Sequence, residues 1–530
     1  FQDQRQSSNP WVVFEFILFR LMKRLSAFLF LCFIVVGAMS ADWPQAAGPD
    51  HNFQVNGEAP RAFSVSKNQN VLWHVPLPST GQGAAIVSGG RVFVASHEVV
   101  NQDTETGSSI IGLCFDAKSG KELWRREIPG TRVTDLSSLF NDNTAASPVA
   151  DGRHVVFTNV GGTAKCFDYQ GKEIWSHTWT PFGRHHARAH EPILHDGNVI
   201  LMHAHCYDLP QSATTKSGSR SLGRAKKYWT YLQAYDLSTG KRIWKAESAT
   251  SIHSTSILGR LSDGSYGILT GRGGGHQPPE EPYGLSFLNA RNGRRVWDAV
   301  IQNYPAAQNA NWDSRSAHFF IGKEHHSLDM ETGRLMRSVS LVDKVTVTRW
   351  EKGRYVTRRN QTLPKSRKPI TYFTNLIVGG YHYFRSFGGL MIGRVQLSSG
   401  RVEYLQVPAQ VLRGKNAKEE MLWAKALPND MKNADGYQVT QDKRNAGNGW
   451  GHVSAASPIV VGNRIYFPTM VGTVYVVNWR SKLLDQSALV SVSDLGSAGK
   501  TWTLSSLSYS SSRLYARTLK ELVCLEEQGR

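Results

Sequence analysis

A short polar phrase that ends on tryptophan, and keeps coming back, constrains this chain more than any other feature. "DAKSGKELW" occupies 116–124, "DYQGKEIW" 168–175, "DLSTGKRIW" 236–244 and "NARNGRRVW" 289–297. The closing residues Trp73, Trp124, Trp175, Trp244 and Trp297 follow one another at gaps of 51, 51, 69 and 53 residues. Weaker copies follow: "DMETGRLMR" (329–337) puts Arg337 in the tryptophan position, and "QLSSGRVEY" (396–404) puts Tyr404 there. Self-similarity at this period marks structural units that cannot bury their faces alone and must stack on their neighbours.

Each unit has the same internal order. A small-residue segment such as "AASPVADG" (145–152) or "AASPIVVG" (455–462) comes first, then an alternating strand such as "RVFVAS" (91–96). A third strand, the polar turn and a last strand ending on tryptophan complete it. Four short strands between turn residues, with little helical periodicity, predict propeller blades. In the turn, Asp116 accepts backbone N–H bonds and Gly120 supplies the positive φ that closes it. Beyond it, Leu123 and Trp124 face opposite sides of the strand. A large apolar ring at each outer strand would pin that blade to the next, so the five tryptophans read as structural.

First strands are expected to start near Gly83, Ala145, Ala189, Ile252, Ala317, Thr374, Ala455 and Ser505, which makes eight. The last unit, "RLYARTLKELVCLEE" (513–527), stops before any tryptophan strand, whereas "NVLWHVPL" (70–77) is such a strand with no unit before it. The expectation is an all-β, eight-bladed propeller of four-stranded antiparallel blades, closed by the N-terminal strand.

These residues resemble a known family. The pattern A-x-D-x-x-[ST]-G-K-x-x-W, nearly whole at Ala234–Trp244 and close at 114–124 and 166–175, looks like the repeat of pyrroloquinoline quinone (PQQ)-type β-propellers. "DWPQAAGPD" (42–50) resembles the opening of exported bacterial PQQ-like propeller proteins, within the quinoprotein alcohol dehydrogenase-like superfamily. The resemblance spans 42–530 and is specific for fold, while function belongs to sites grafted on folds. It implies that PQQ with calcium is a cofactor to consider. Dehydrogenases of the superfamily hold the quinone in the central funnel, and the larger ones stack it on a disulfide between adjacent cysteines. Here the cysteines are 32, 114, 166, 206 and 524, none adjacent. Cys114 and Cys166 hold matching places in two repeats, as two small core residues would. No cofactor is therefore expected.

The ends place the protein. From Met22 the chain reads as a secretory signal, with "MKR" charged, "LSAFLFLCFIVV" apolar and "GAMSA" small, which predicts cleavage after Ala41. Residues 1–21 are expected to be an upstream over-read, 22–41 the signal peptide and 42–530 the propeller. Leu25 to Met39 falls short of the roughly 20 residues of a bilayer span, so no transmembrane segment is expected after cleavage. Cys32 follows Leu31, where a lipoprotein signal wants a small residue. The expected location is periplasmic or secreted.

Candidate sites come from two sources. In "RHHARAHEPILHDGNVILMHAHCYD" (184–208), His203 and His205 share a strand face, with His185, His186 and His190 just before, a set that could hold Zn or Cu. Residues immediately before first strands should gather at one mouth of the channel as a ligand-binding ring: Asn143, Arg188, His190, Glu191, His253, Trp312, Asp313, Trp450 and His452. No catalytic residue can be assigned. The chain's formal charge of +19 favours acidic partners. The basic insertions 214–227 and 348–369 read as solvated loops, or as contacts for anionic glycan or lipid. Export argues against nucleic acid. The leading expectation is a non-catalytic binding module for a protein or anionic envelope partner. The alternatives are a periplasmic oxidoreductase and an outer-membrane assembly scaffold.

Overall fold

Alternating short strands separated by Gly, Asn and Asp turns leave the backbone one economical way to bury its faces: blade against blade around an axis. The computed structural model describes residues 42–98, 109–131, 142–179, 190–203, 229–250, 255–272, 283–304, 309–364, 371–386 (backbone alone at 371–374), 390–414, 418–434, 436, 438–440 and 456–529. Residues 42–530 form one compact unit. Its core is an eight-bladed propeller of four-stranded antiparallel blades, with inner strands lining a central channel. Blades 1 to 5 span residues 86–128, 149–178, 193–245, 257–300 and 311–340; blades 6 and 7 span 371–406 and 459–494. Blade 8 takes its first three strands from 508–525 and its outer strand from Val71–Pro76.

Seven inner strands lie close to their expected starts. The fifth does not: Asn311–Trp312 is the inner strand, and Ala317 belongs to the second strand, Ser316–Ile321. A small-residue marker misses an inner strand built from Asn and Trp.

The repeated tryptophan docks each blade on the next, through one contact used again and again. The Trp124 ring lies on Gly171, and its Nε1–H donates to the carbonyl of Tyr169 at 2.9 Å. Trp175 makes the same bond to Leu237 (2.8 Å) and Trp297 to Met330 (2.7 Å). Trp73, in the outer strand of blade 8, makes it to Ala117 of blade 1 (3.2 Å). In every case the acceptor follows the turn Asp or its equivalent. The ring covers the turn glycine: a methyl group on Gly120, Gly171, Gly240, Gly293 or Gly333 would sit 2.6–3.0 Å from the Trp73, Trp124, Trp175, Trp244 or Trp297 ring. Asp116 Oδ1 accepts from Ser119 N at 2.7 Å, and Gly120 has φ +72°.

Arg337 keeps this role without a ring, its guanidinium donating to Leu397 (3.2 Å) and Ser398 (3.1 Å) of blade 6. Tyr404 does not. Its hydroxyl turns back to Leu341 O (2.7 Å), because a further strand, Val345–Glu351, pairs parallel with the outer strand and covers it. Arg394 takes over the docking of blade 6 on blade 7. It is fully buried, bonded to Glu403 (2.7 Å), and it donates to Ser481 O (3.0 Å) and Lys482 O (3.1 Å). Such a buried pair fixes geometry and is costly to break on one side only.

The N-terminal segment closes the ring twice. Trp73 stands opposite Cys524 in an antiparallel pairing of Val71–Pro76 with Glu521–Leu525. Before that, the segment crosses the end of the channel: Trp43 bridges Val87 of blade 1, and Pro44 O accepts from Ala150 N of blade 2 (2.9 Å). Gln45 Oε1 accepts from Leu194 N of blade 3 (2.9 Å). Gln54–Val55 then pairs parallel with the inner strand of blade 7.

Two outcomes test this scheme. Gly120→Ala should lose roughly 2–4 kcal/mol in urea unfolding, because positive φ and the Trp73 ring both resist a methyl group. Gly152 has φ +95° but open space around it, so Gly152→Ala should lose only about 1–2 kcal/mol. Equal losses would mean that the turn glycine serves the backbone alone. Deleting 42–78 should expose an unpaired edge on blade 8 and give protein that aggregates. A deletion variant as soluble and heat-stable as the full chain would refute closure.

Candidate functional site

The channel end opposite the N-terminal segment is where the chain enters each inner strand. Here the blades are joined by a belt of polar bonds, with at least one link for every neighbouring pair. Ser505 Oγ of blade 8 donates to Gln82 O of blade 1 (2.6 Å), and Ala84 N of blade 1 donates to Ser147 Oγ of blade 2 (2.9 Å). Ser147 N and Oγ then donate to the two carboxyl oxygens of Glu191 in blade 3 (2.7 and 3.0 Å). His190 Nε2 meets Ser256 Oγ of blade 4 at 2.9 Å. Thr255 N donates to Asn309 Oδ1 of blade 5 (2.9 Å), and Asn375 Nδ2 of blade 6 donates to Asn309 O (2.8 Å). The fully buried Arg385 reaches Pro468 O of blade 7 (2.9 Å), and Ser457 N reaches Ser506 Oγ of blade 8 (2.8 Å).

The belt surrounds a cavity of about 80 Å³. Gln82, Ala145, Glu191, Thr255, Asn309, Ser457 and Ser505 line it, with Ala46 and Phe53 of the N-terminal segment. Burial pushes the Glu191 carboxyl up to about 7, against the bonds from Ser147. Burial holds His190 at about 4, so it is neutral in the fold.

The predicted mouth residues divide. Asn143, His190 and Glu191 lie where inner strands begin, and all three are buried or, for Glu191, nearly so. Trp312 lies within an inner strand, its indole packed over Gly259 and donating to Ile257 O (3.1 Å), so it docks blade 5 against blade 4. Asp313 lies in the turn after that strand and accepts from Arg315 N and Ser316 N (2.8 and 2.9 Å). These two therefore do not join the ring of residues that precede first strands. Arg188, His253, Trp450 and His452 lie outside the described residues. So do His185, His186 and His205 of the candidate metal set. His203 stacks on Trp179 at 4.2 Å and faces the Tyr235 hydroxyl (3.4 Å), while His190 is engaged by Ser256. Among the described residues no three His, Cys, Asp or Glu side chains converge on a metal position.

Two buried polar clusters escaped the sequence reading. Asp142, beside the Asn143 singled out above, meets His97 Nε2 at 3.2 Å and accepts from Thr144 N (2.8 Å). Burial opposes its ionisation, but His97, the Thr144 bond and the charge of Arg517 outweigh burial and hold it below the usual carboxylate range. Arg517 is buried in turn and donates to Gly83 O (2.8 Å), joining blades 8 and 1. Between blades 5 and 6, His325 Nε2 meets His382 Nδ1 at 3.0 Å, and His382 Nε2 meets Asn375 Oδ1 at 2.9 Å. Burial first, then the neighbouring histidines, holds both well below the usual imidazole value. Only the packing of neighbouring blades creates these clusters, so no local motif announces them.

The described cavity-lining residues do not fit a quinone held with calcium. Their single carboxyl, Glu191, is engaged by Ser147 and favoured in its protonated form, the opposite of a calcium ligand. Cys114, Cys166 and Cys524 are buried free thiols in three different blades, so no described pair forms a stacking disulfide.

Comparison with known proteins agrees with the fold. The family described as "Outer membrane protein assembly factor BamB" matches residues 56–317. The quinohemoprotein alcohol dehydrogenase ADHIIG from Pseudomonas putida HK5 superposes with a TM-score of 0.50 at 11% identity, over 92% of this chain and 81% of that one. The quinohemoprotein alcohol dehydrogenase from Comamonas testosteroni gives 0.50 at 12%, over 94% and 82%. BamB from Moraxella catarrhalis gives 0.36 at 14%, over 75% and 98%. No curated protein sequence matches. The matched stretch is just under half of the chain, and at these identities the structural likeness establishes the fold alone, a β-propeller of the kind those proteins share.

The titrations set a pH dependence. His51 and His190 are held at about 4, and His325 and His382 well below 6.5, so the fold keeps all four neutral where the unfolded chain takes up protons. Their contribution to stability is present above the unfolded value near 6.5 and is lost as pH falls toward 4. Glu191 acts oppositely, since the fold retains its proton up to about 7. Burial lowers His195 and His326 in the same direction, so six histidines act against one glutamate and the thermal midpoint should fall steadily below pH 6. Glu191→Gln should raise stability at pH 8 by about 1–3 kcal/mol and change little at pH 5.5. A gain that is the same at both pH values would show that Glu191 is not titrating there.

Proposed function

We propose that the protein is an exported, non-catalytic binding module of the cell envelope, taking a ligand or protein partner at the channel end where the blade-joining segments lie. The observation that carries this reading is the use of the channel's polar groups. They are spent in pairs on holding blades together, and the described lining residues include no nucleophile and base in contact. The N-terminal segment covers the other end, which leaves this end for docking. The signal-like segment 22–41 supports export to the periplasm or beyond. Among the described residues no helix is long and apolar enough to cross a membrane. An unidentified protein or an anionic glycan of the envelope suits the positive formal charge.

A second reading, an outer-membrane assembly scaffold, is favoured by the family match over 56–317. In situ cross-linking from the channel end that recovered outer-membrane assembly components would promote it. Protein purified from its own host, analysed by absorbance and elemental content and then titrated with PQQ and calcium, tests the non-catalytic reading. The expected result is no saturable quinone binding at micromolar concentration and no dye-linked alcohol oxidation. Saturable binding with turnover would replace this reading with a periplasmic oxidoreductase.

A further inference from the structure

The basic insertion at 348–369 is not simply a loop. Residues 345–361 form a hairpin, Val345–Glu351 and Arg354–Gln361, that extends blade 6 to six strands in the order hairpin first, then outer to inner strand. Among the described residues no other blade carries such a hairpin. We propose that the outer edge of this hairpin, Arg354–Arg359, receives an acidic extended segment of a partner protein as a further strand. This surface is separate from the channel end, and its failure would leave the proposed function standing.

Three observations carry the proposal. The strand Arg354–Gln361 is the last of its sheet, and no described strand pairs with its outer edge, so a row of backbone donors and acceptors is available along it apart from the Arg359 carbonyl, which accepts from Gln361 Nε2 at 2.9 Å. The hairpin is rigid: Trp350 stacks on Trp423 at 4.6 Å with planes 3° apart, Tyr355 meets both rings edge-on, and Thr348 and Thr357 hydroxyls bond at 2.9 Å. A strand already in place costs a partner little ordering. The charge then selects the partner. Residues 345–361 carry Arg349, Lys352, Arg354, Arg358 and Arg359 against Glu351, and Glu351 is taken by Arg358 (Nη2 to Oε2, 2.7 Å). Like charges placed opposite each other are unfavourable across a strand pair, so this edge resists a second copy of itself and accepts a strand bearing carboxylates. Asn360, at φ 53°, and the register break opposite it bend the strand and limit the pairing run to the residues before it.

The test uses the full chain and a fluorescent ten-residue peptide alternating Glu and Val. Anisotropy should show saturable binding that weakens about tenfold between 50 and 300 mM salt. Hydrogen exchange should slow at 354–359. The same peptide N-methylated on alternate amides should lose binding about tenfold or more, as should the double variant Arg354→Glu/Arg359→Glu with the unmodified peptide. Equal binding by the N-methylated peptide would overturn the proposal, because charge alone would then suffice. So would absence of peptide binding, or binding to vesicles of anionic phospholipid without slowed exchange at the edge when peptide is added. The peptide arm uses the unaltered chain, so it decides the matter even if the double variant does not fold.

Discussion

The ring rests on an indole laid over a glycine, with the indole N–H directed at the next carbonyl in the same turn. Three requirements meet in that contact. The turn needs a positive φ, the ring needs a surface without a side chain, and the N–H, once buried, needs an acceptor. One Asp-x-x-x-Gly turn satisfies all three, which is why turn and tryptophan recur as a single phrase. Where the phrase decays, the acceptor survives longer than the ring: Arg337 reaches the carbonyl of Leu397 with a guanidinium in place of an indole. At blade 6 even the position is given up, and Arg394 bridges the seam from the third strand. The blade that departs most from the repeat is also the one that carries the added hairpin.

The inner seam works by other means. Outer edges diverge and use large apolar rings, whereas inner edges converge and use mainly Ser, Thr, Asn and single carboxyl or imidazole groups, with Arg385, Arg517 and Trp312 the larger side chains there. The polar bonds there satisfy buried groups that would otherwise be costly. The consequence for function is a channel whose wall chemistry is committed to architecture.

The outer seam was legible in the sequence because its parts lie within nine residues: Asp116, Gly120 and Trp124 announce the turn, the glycine and the ring together. Closure was legible too, from a spare tryptophan strand at one end and a missing one at the other. The inner seam was not, since Ser147 meets Glu191, and Asp142 meets His97, only after the blades pack. Trp312 is expected just before the fifth inner strand because small residues place that strand near Ala317, yet it lies on the inner strand itself and packs back onto Gly259. The hairpin at 345–361 was read by its charges, while the alternation in "VTVTRW" and the Lys352–Gly353 turn already spelled two strands.

The pairing of Val71–Pro76 with Glu521–Leu525 also sets the order of events during folding. This contact spans almost the whole propeller in sequence, so its loop-closure entropy is among the largest in the chain, and it forms only after the C-terminus is available. Each of blades 1 to 7 takes its four strands from one continuous stretch of chain, whereas blade 8 draws its outer strand from the far end of the propeller. Until that strand is in place the ring is an open arc, without the Trp73 contact on Gly120 that joins blade 8 to blade 1.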